Sequence, residues 1–222
     1  MNPTEDRKIR SYVLRQGRLT AGQERALEVH WSHFGLSTAD SLLDFNRLFE
    51  VQRPVVFEIG FGMGDSLVEQ AVIHPDINYL GTEVHRPGVG HLLIQAAEKQ
   101  LDNLRVFNED GLEVLERFIP DHVLQGIQLY FPDPWHKKRH HKRRIFNAAF
   151  LELAARKLLK GGFIHVATDW VPYAEEIETL MSAHQAFDPM DAPARPETKF
   201  EKRGIRLGHE VRDLACCYCP RS

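Results

Sequence analysis

Val55-Val56-Phe57-Glu58-Ile59-Gly60-Phe61-Gly62-Met63-Gly64-Asp65 decides the fold. An apolar run carrying one acid feeds a turn with glycine at every second position, and Asp65-Ser66-Leu67-Val68-Glu69-Gln70-Ala71-Val72 continues as a helix. Strand, tight glycine turn and helix, in that order, open a Rossmann-like nucleotide pocket. A dinucleotide fingerprint reads G-x-G-x-x-G. Here the spacing is G-x-G-x-G, and Asp65 stands where the third glycine belongs. The backbone can approach a ligand, with no special provision for a pyrophosphate. A ligand with an adenosine and no phosphates fits better, and S-adenosylmethionine is the common one.

Outward from this turn, strand-like and helix-like segments alternate, as in an α/β protein with a mostly parallel sheet. The pattern predicts strands over 55–59, 78–82, 104–107, 127–131 and 163–167. It predicts helices over 65–73, 88–100, 111–118, 144–159 and 172–185, with Lys160-Gly161-Gly162 as a glycine stop for the fourth. The proline-rich stretch 189–196 reads as a loop, and 198–219 as two strands with a turn near Arg203-Gly204. Residues 1–50 are set apart as a basic arm with short helices, one starting at Ala21, and residues 51–222 form the main domain. No repeat or low-complexity tract is present.

A chain of 222 residues with 43% hydrophobic content suffices for one medium domain with a real core. No apolar run reaches the roughly 20 residues that span a bilayer. Met1 to Arg10 is polar, which speaks against a signal peptide. The three cysteines, Cys216, Cys217 and Cys219, sit together and match neither a disulfide framework nor a zinc template. They read as residues of a last strand in a reduced, cytoplasmic protein. Charge is unevenly spread. His136 to Arg144 reads His-Lys-Lys-Arg-His-His-Lys-Arg-Arg, with six Lys or Arg, so a chain of net charge −3 carries −9 elsewhere. One basic patch on an acidic protein steers a polyanion to one place. Its histidines have no acids or cysteines at ligand spacing, so no metal site is expected.

Ligands of open α/β sheets sit at the carboxyl ends of the strands. Each predicted strand end carries an acid: Glu58, Glu83, Glu109-Asp110, Asp133 and Asp169. Such a ring suits a ligand with a sulfonium, an ammonium, a ribose diol and an adenine amine, and disfavours phosphate. Glu83 is placed for both ribose hydroxyls, Asp110 for the adenine amine, and Glu58 for the cationic methionine end. Met63 and Val84 would flank the adenosine.

In Phe131-Pro132-Asp133-Pro134-Trp135 the flanking prolines restrict the backbone around Asp133. An acid beside prolines and an aromatic is used to engage a base edge while the ring stacks on the base.

The block Gln125 through Arg144, the Glu58-Ile59-Gly60-Phe61-Gly62-Met63-Gly64 turn, the early Leu14-Arg15-Gln16-Gly17-Arg18-Leu19-Thr20 and the late Thr198-Lys199-Phe200-Glu201 resemble the bacterial tRNA (guanine-N7-)-methyltransferase family. The resemblance covers about residues 7–219. It implies a Rossmann-like class I methyltransferase fold: a mostly parallel sheet, an antiparallel C-terminal strand pair and helices on both faces. It implies S-adenosylmethionine held by Glu58, Gly60, Gly62, Gly64, Glu83, Asp110 and Asp133, and methylation of a guanine in the tRNA variable loop, with Asp133 catalytic. It implies substrate contacts from Lys137, Asp169, Thr198, Lys199, Phe200 and Glu201, and RNA contacts from Arg139, His140, His141, Lys142, Arg143 and Arg144. A monomer or homodimer follows, with tRNA as partner and no membrane.

The chemistry agrees. Guanine N7 carries a free lone pair, so no base is needed to deprotonate it. Asp133 is expected to orient base and cofactor, and Glu201 is a candidate acceptor for the N1 and amino protons of guanine. Asp65 in place of the third glycine and the ring of acids speak against an NAD-dependent oxidoreductase, and the intact Glu58, Gly60, Gly62, Asp110 and Asp133 set speaks against a non-catalytic RNA-binding module on the same scaffold; a methyltransferase for another base or RNA stays open on residue chemistry alone.

Overall fold

The computed structural model describes residues 10–12, 17–37, 42–198, 201–202, 204, 208 and 210–221. Its elements are α1 (Ala21–Phe34), β1 (Gly35–Leu36), α2 (Phe45–Leu48), β2 (Val55–Ile59), α3 (Asp65–Ile73), β3 (Asn78–Thr82), α4 (Arg86–Glu98) and β4 (Leu104–Phe107). They continue with α5 (Gly111–Arg117), β5 (Leu124–Tyr130), α6 (Ala148–Lys157), β6 (Leu158–Thr168), α7 (Val171–Ala183), β7 (Phe187–Met190) and β8 (Arg212–Tyr218).

One eight-stranded sheet runs β1-β4-β3-β2-β5-β6-β8-β7. The pairs from β1 through β6 are parallel, and β8 pairs antiparallel with both β6 and β7. The chain leaves β2 toward β3 and β4, then returns to β2's other side as β5. That reversal opens a crevice beyond the carboxyl ends of β2 and β5.

Alternation along β2 explains the two cores. Val55, Phe57 and Ile59 face a cluster covered by α5, α6 and α7 through Val114, Phe150 and Ile177. Val56 faces the other, covered by α1, α3 and α4 through Ala26, Leu67 and Leu92. Both faces of a parallel sheet must be covered, so β2 is buried throughout. Each fully buried large side chain, Phe57 or Leu92 for example, contributes about 1.5–3 kcal/mol.

Residues 21–36 join this sheet. Thr20 caps α1 in a reciprocal box with Gln23. Gly90 of α4 lets Gln23 approach closely, since a Cβ there would lie 2.8 Å from the Gln23 Cβ. β1 then adds a short parallel strand beside β4.

Three expected elements differ. The helix expected over 144–159 is α6, which begins only after Asn147 accepts a cap bond from the Phe150 amide; Arg144 to Phe146 is buried non-helical chain. Lys160-Gly161-Gly162 stops no helix, because β6 already begins at Leu158 and the glycines occupy a register shift between the Leu124–Leu158 and Gly126–Phe163 pairs. The outer partner of β8 is β7, whose last two residues fall in the 189–196 segment expected to be loop. Pro189 is tolerated because β7 is the sheet's edge. Glu201 and Lys202 are helical, and Arg203 lies outside the described residues. Cys216 and Cys217 lie on β8, and all three cysteines are free.

Candidate active site

The glycine turn bends back over β3: the amides of Gly60 and Phe61 both donate to the Thr82 carbonyl, at 2.8 and 3.2 Å. Gly60 and Gly62 have φ of +74° and +62°, and a Cβ on either would meet no atom of the described residues within 4 Å. Their bare faces therefore open onto a cleft. The Glu83 carboxylate holds the loop from below, accepting from the Gly62 amide at 2.8 Å and the His85 amide at 2.7 Å. Gly88, at the start of α4, touches the same loop; a Cβ there would lie 2.0 Å from the Gly62 carbonyl oxygen.

The cleft holds about 930 Å³ and is lined by Glu58, the Gly60–Gly64 turn, Glu83, Asp133, Trp135, His136, Lys137, His140 and Thr198, among others. A smaller adjoining recess reaches Asp110. Glu58 is only 3% exposed, and its Oε2 has no hydrogen-bond partner among the described residues. Burial pushes its pKa up to about 8, against a lowering by the Arg195 charge and a further raise from Glu83. Glu83 is also raised, chiefly by burial, with the amides it accepts from pulling it back. Asp110 caps α5 through the Leu112 and Glu113 amides. The Tyr12 hydroxyl bonds to Asp110, and burial and that acid raise the Tyr12 pKa.

Asp133 stands exposed on a turn held at both ends. Before it, Phe131 adopts φ +50° and its amide donates to the Ala167 carbonyl at 2.8 Å. After it, Arg144 donates to the Pro134 carbonyl at 2.9 Å. Trp135, at φ +48°, donates its indole N–H to the Ser11 carbonyl at 3.0 Å. His136 packs edge-on against Trp170 at 4.2 Å.

The basic run divides. Lys138 to Arg143 form a 3₁₀ turn, on which Lys138, Arg139 and Lys142 are exposed, as is Lys137 before it. His140 and His141 are half-buried. Arg143 turns inward to the Arg10 and Tyr12 carbonyls. Arg144 is 3% exposed, paired with Glu176 and laid over the Tyr173 ring at 4.6 Å. It faces the fold, away from the surface that the run presents.

Of the expected substrate residues, Lys137 and Thr198 line the cleft. Glu201 does not: its carboxylate accepts two bonds from Arg195, at 2.6 and 3.1 Å, and one from the Thr198 amide. Asp169 lies half-buried just past β6, outside the cleft lining. Lys199, Phe200 and Leu14 to Gln16 lie outside the described residues. Sequence reasoning missed Tyr12, Gly88 and Arg195. Gly88 carried a signal, a glycine just inside a helix start; the other two had none without the fold. Among the described residues no group of three or more His, Cys, Asp or Glu could hold a metal ion, and no helix is long and apolar enough to cross a membrane.

Residues 52–214 match a family model described as "Putative methyltransferase". A tRNA (guanine-N(7)-)-methyltransferase of Alkalilimnicola ehrlichii is 52% identical over 220 residues, covering 95% of this chain and 93% of its own length. One of Escherichia coli is 53% identical over 216 residues, covering 94% and 90%. Among solved structures, the 16S rRNA methyltransferase KamB superposes with TM-score 0.60 at 19% identity, covering 79% of this chain and 93% of its own. The aminoglycoside resistance methyltransferase NpmB1 gives 0.54 at 18% identity, covering 95% and 98%. At such identity these two share the fold.

Proposed function

The chain belongs to the tRNA (guanine-N7-)-methyltransferase family, and we propose that it transfers a methyl group from S-adenosylmethionine to N7 of a guanine in the variable loop of tRNA. One observation carries this reading. A single cleft joins Glu58, Gly60, Gly62 and Glu83, from the ends of β2 and β3, to Asp133, Lys137 and Thr198.

The residues fit the cofactor. The buried, unpartnered Glu58 oxygen favours a cationic group in front of it. The bare faces of Gly60 and Gly62 admit close approach of a ligand. Glu58 would hold the methionine end, Glu83 the ribose hydroxyls and Asp110 the adenine amine, with Gly64 completing the turn. When bound, S-adenosylmethionine supplies an electrophilic methyl on a positively charged sulfur.

The chain's own residues then position the acceptor. N7 attacks with a lone pair, so Asp133 need not remove a proton. Its carboxylate aligns the base and stabilises the positive charge that the base acquires. Alignment of this kind supplies roughly 7–11 kcal/mol of barrier reduction. Lys137, Thr198, Lys199, Phe200, Glu201 and Asp169 are assigned to the substrate side. Lys138, Arg139, Lys142 and the neighbouring His140 and His141 are assigned to RNA, together with the basic segment within residues 1–50; residues 51–222 form the catalytic domain. The protein is read as cytoplasmic, acting as a monomer or homodimer.

Nucleoside mass spectrometry tests the proposal. Purified protein is incubated with S-adenosylmethionine and unmodified tRNA transcripts, with and without a variable-loop guanine. 7-Methylguanosine only when that guanine is present is the expected result. Another methylated nucleoside overturns the substrate, and no transfer despite binding of S-adenosylhomocysteine overturns the activity.

A further inference from the structure

Between the cleft and β8 lies a polar cluster centred on Arg195. Its side chain is 5% exposed. The guanidinium donates to both Asp213 oxygens, at 2.7 and 3.0 Å, as well as to both Glu201 oxygens. It lies over the rings of Tyr130 and Phe131, at 5.1 and 5.6 Å. Asp213 also bonds His165 at 2.7 Å, and the other ring nitrogen of His165 meets the Tyr130 hydroxyl at 3.1 Å.

Two walls of the cleft meet at this one side chain. Tyr130 and Phe131 lead directly into Pro132-Asp133. Glu201 is locked to Thr198 by reciprocal bonds, the Glu201 amide to the Thr198 hydroxyl at 3.1 Å and the Thr198 amide to Glu201 at 3.2 Å. Residues 191–198 have no regular secondary structure, so no strand ladder sets their distance from the Asp133 turn. Arg195 is suited to the task because its planar fork serves two carboxylates at once, which a lysine ammonium cannot do.

Resting on the methyltransferase reading above, we propose that Arg195 is a positioning residue for the methyl-accepting base. It holds the Asp133 turn at a fixed separation from Thr198 and Glu201, anchoring Glu201 through both carboxylate oxygens. It touches neither substrate, and acts through those groups.

The test compares wild-type protein with Arg195→Ala and Arg195→Lys. Initial rates of 7-methylguanosine formation are read with tRNA and S-adenosylmethionine both saturating, since Arg195 also acts on Glu58 in the cofactor half. Melting temperature reports folding at the assay temperature. In folded Arg195→Ala, kcat is expected to fall about 100-fold, the effect of roughly an ångström of misplacement. Arg195→Lys, which keeps the charge and one carboxylate bond, is expected between the two and serves alone if the alanine variant does not fold. An unchanged kcat in either folded variant overturns the proposal. So does a rise confined to the cofactor KM, which would assign Arg195 to Glu58 alone. A wild-type protein that binds S-adenosylhomocysteine and methylates no tRNA guanine sinks the methyltransferase reading first, and the proposal with it.

Discussion

Arg143 lies over Trp135, its guanidinium carbon 3.7 Å from the indole centroid. The same side chain donates to the Arg10 carbonyl at 2.9 Å and the Tyr12 carbonyl at 3.0 Å. One face of the indole is therefore already covered, and the His140 ring lies 5.9 Å from it at a 39° tilt. A guanidinium–indole contact of this kind is worth about 0.5–2 kcal/mol. Arg143→Ala is expected to raise the KM for tRNA several-fold and to shift the intrinsic tryptophan fluorescence. Lysine should not restore the KM, because an ammonium does not fork to two carbonyls. A KM unchanged in both variants would make the contact incidental to RNA binding.

Salt dependence separates the exposed cations from the buried one. Lys137, Lys138, Arg139 and Lys142 are exposed, whereas Arg144 is buried against Tyr173 and Glu176. If each of the four neutralises one phosphate, log affinity against log salt has a slope between about −3 and −4. Lys142→Ala should make that slope shallower by nearly one. Arg144→Ala should leave it unchanged and lower kcat instead, because the Pro134 carbonyl beside Asp133 loses its donor. Filter binding across a salt series, with turnover measured in parallel, reads both. Equal slopes for wild type and Lys142→Ala would remove Lys142 from the RNA surface.

Glu58 gives the ligand-free protein a pH signature. Its folded pKa, raised to about 8 by burial, exceeds the unfolded value of about 4.3. For a carboxyl shifted upward, the folded state holds the proton more tightly. Its contribution to stability is full below the unfolded pKa and is lost as pH rises toward 8. Thermal melts from pH 5 to about 9 should show that decline, and Glu58→Gln should flatten it. A cationic ligand reverses the preference, so binding S-adenosylmethionine, whose sulfonium carries a positive charge, at neutral pH should release a proton. Calorimetry in buffers of different ionisation enthalpy detects it, and identical melting curves for wild type and Glu58→Gln would refute the shift.

Gly88 has no room for a methyl group. Its Cβ would collide with the Gly62 carbonyl oxygen at 2.0 Å, a backbone atom that moves only with the glycine turn. Gly88→Ala should therefore weaken S-adenosylhomocysteine binding at least tenfold, about 1.4 kcal/mol. Gly161→Ala serves as the control: it lies at φ +83° in open space on β6, so it should lower stability and leave affinity alone. Comparable losses of affinity in both would show that the Gly88 contact is not specific to the turn.

The parts legible in advance share a property. The β2 strand and α3 helix have the predicted bounds, because a buried apolar run ending in glycines with positive φ is specified by neighbours in the chain. The Asp133 turn was legible for the same reason, with prolines on either side constraining it. The region after residue 185 was read less well. There Pro189 argued for loop, and only the position of β7 at the edge of the sheet makes the proline acceptable.

By itself, the sequence determined the α/β order, the glycine turn, the acids at the strand ends and the concentration of positive charge after Trp135. All of these rest on residues within a few positions of one another, whose conformational limits travel with them. Only the tertiary structure decided which cations are exposed and which are buried. It also decided that Glu201 faces Arg195, and that Tyr12 reaches Asp110. Those relations depend on which distant segments meet and how much water is excluded when they do. Burial and long-range pairing are properties of the packed chain, and neighbouring residue types do not encode them.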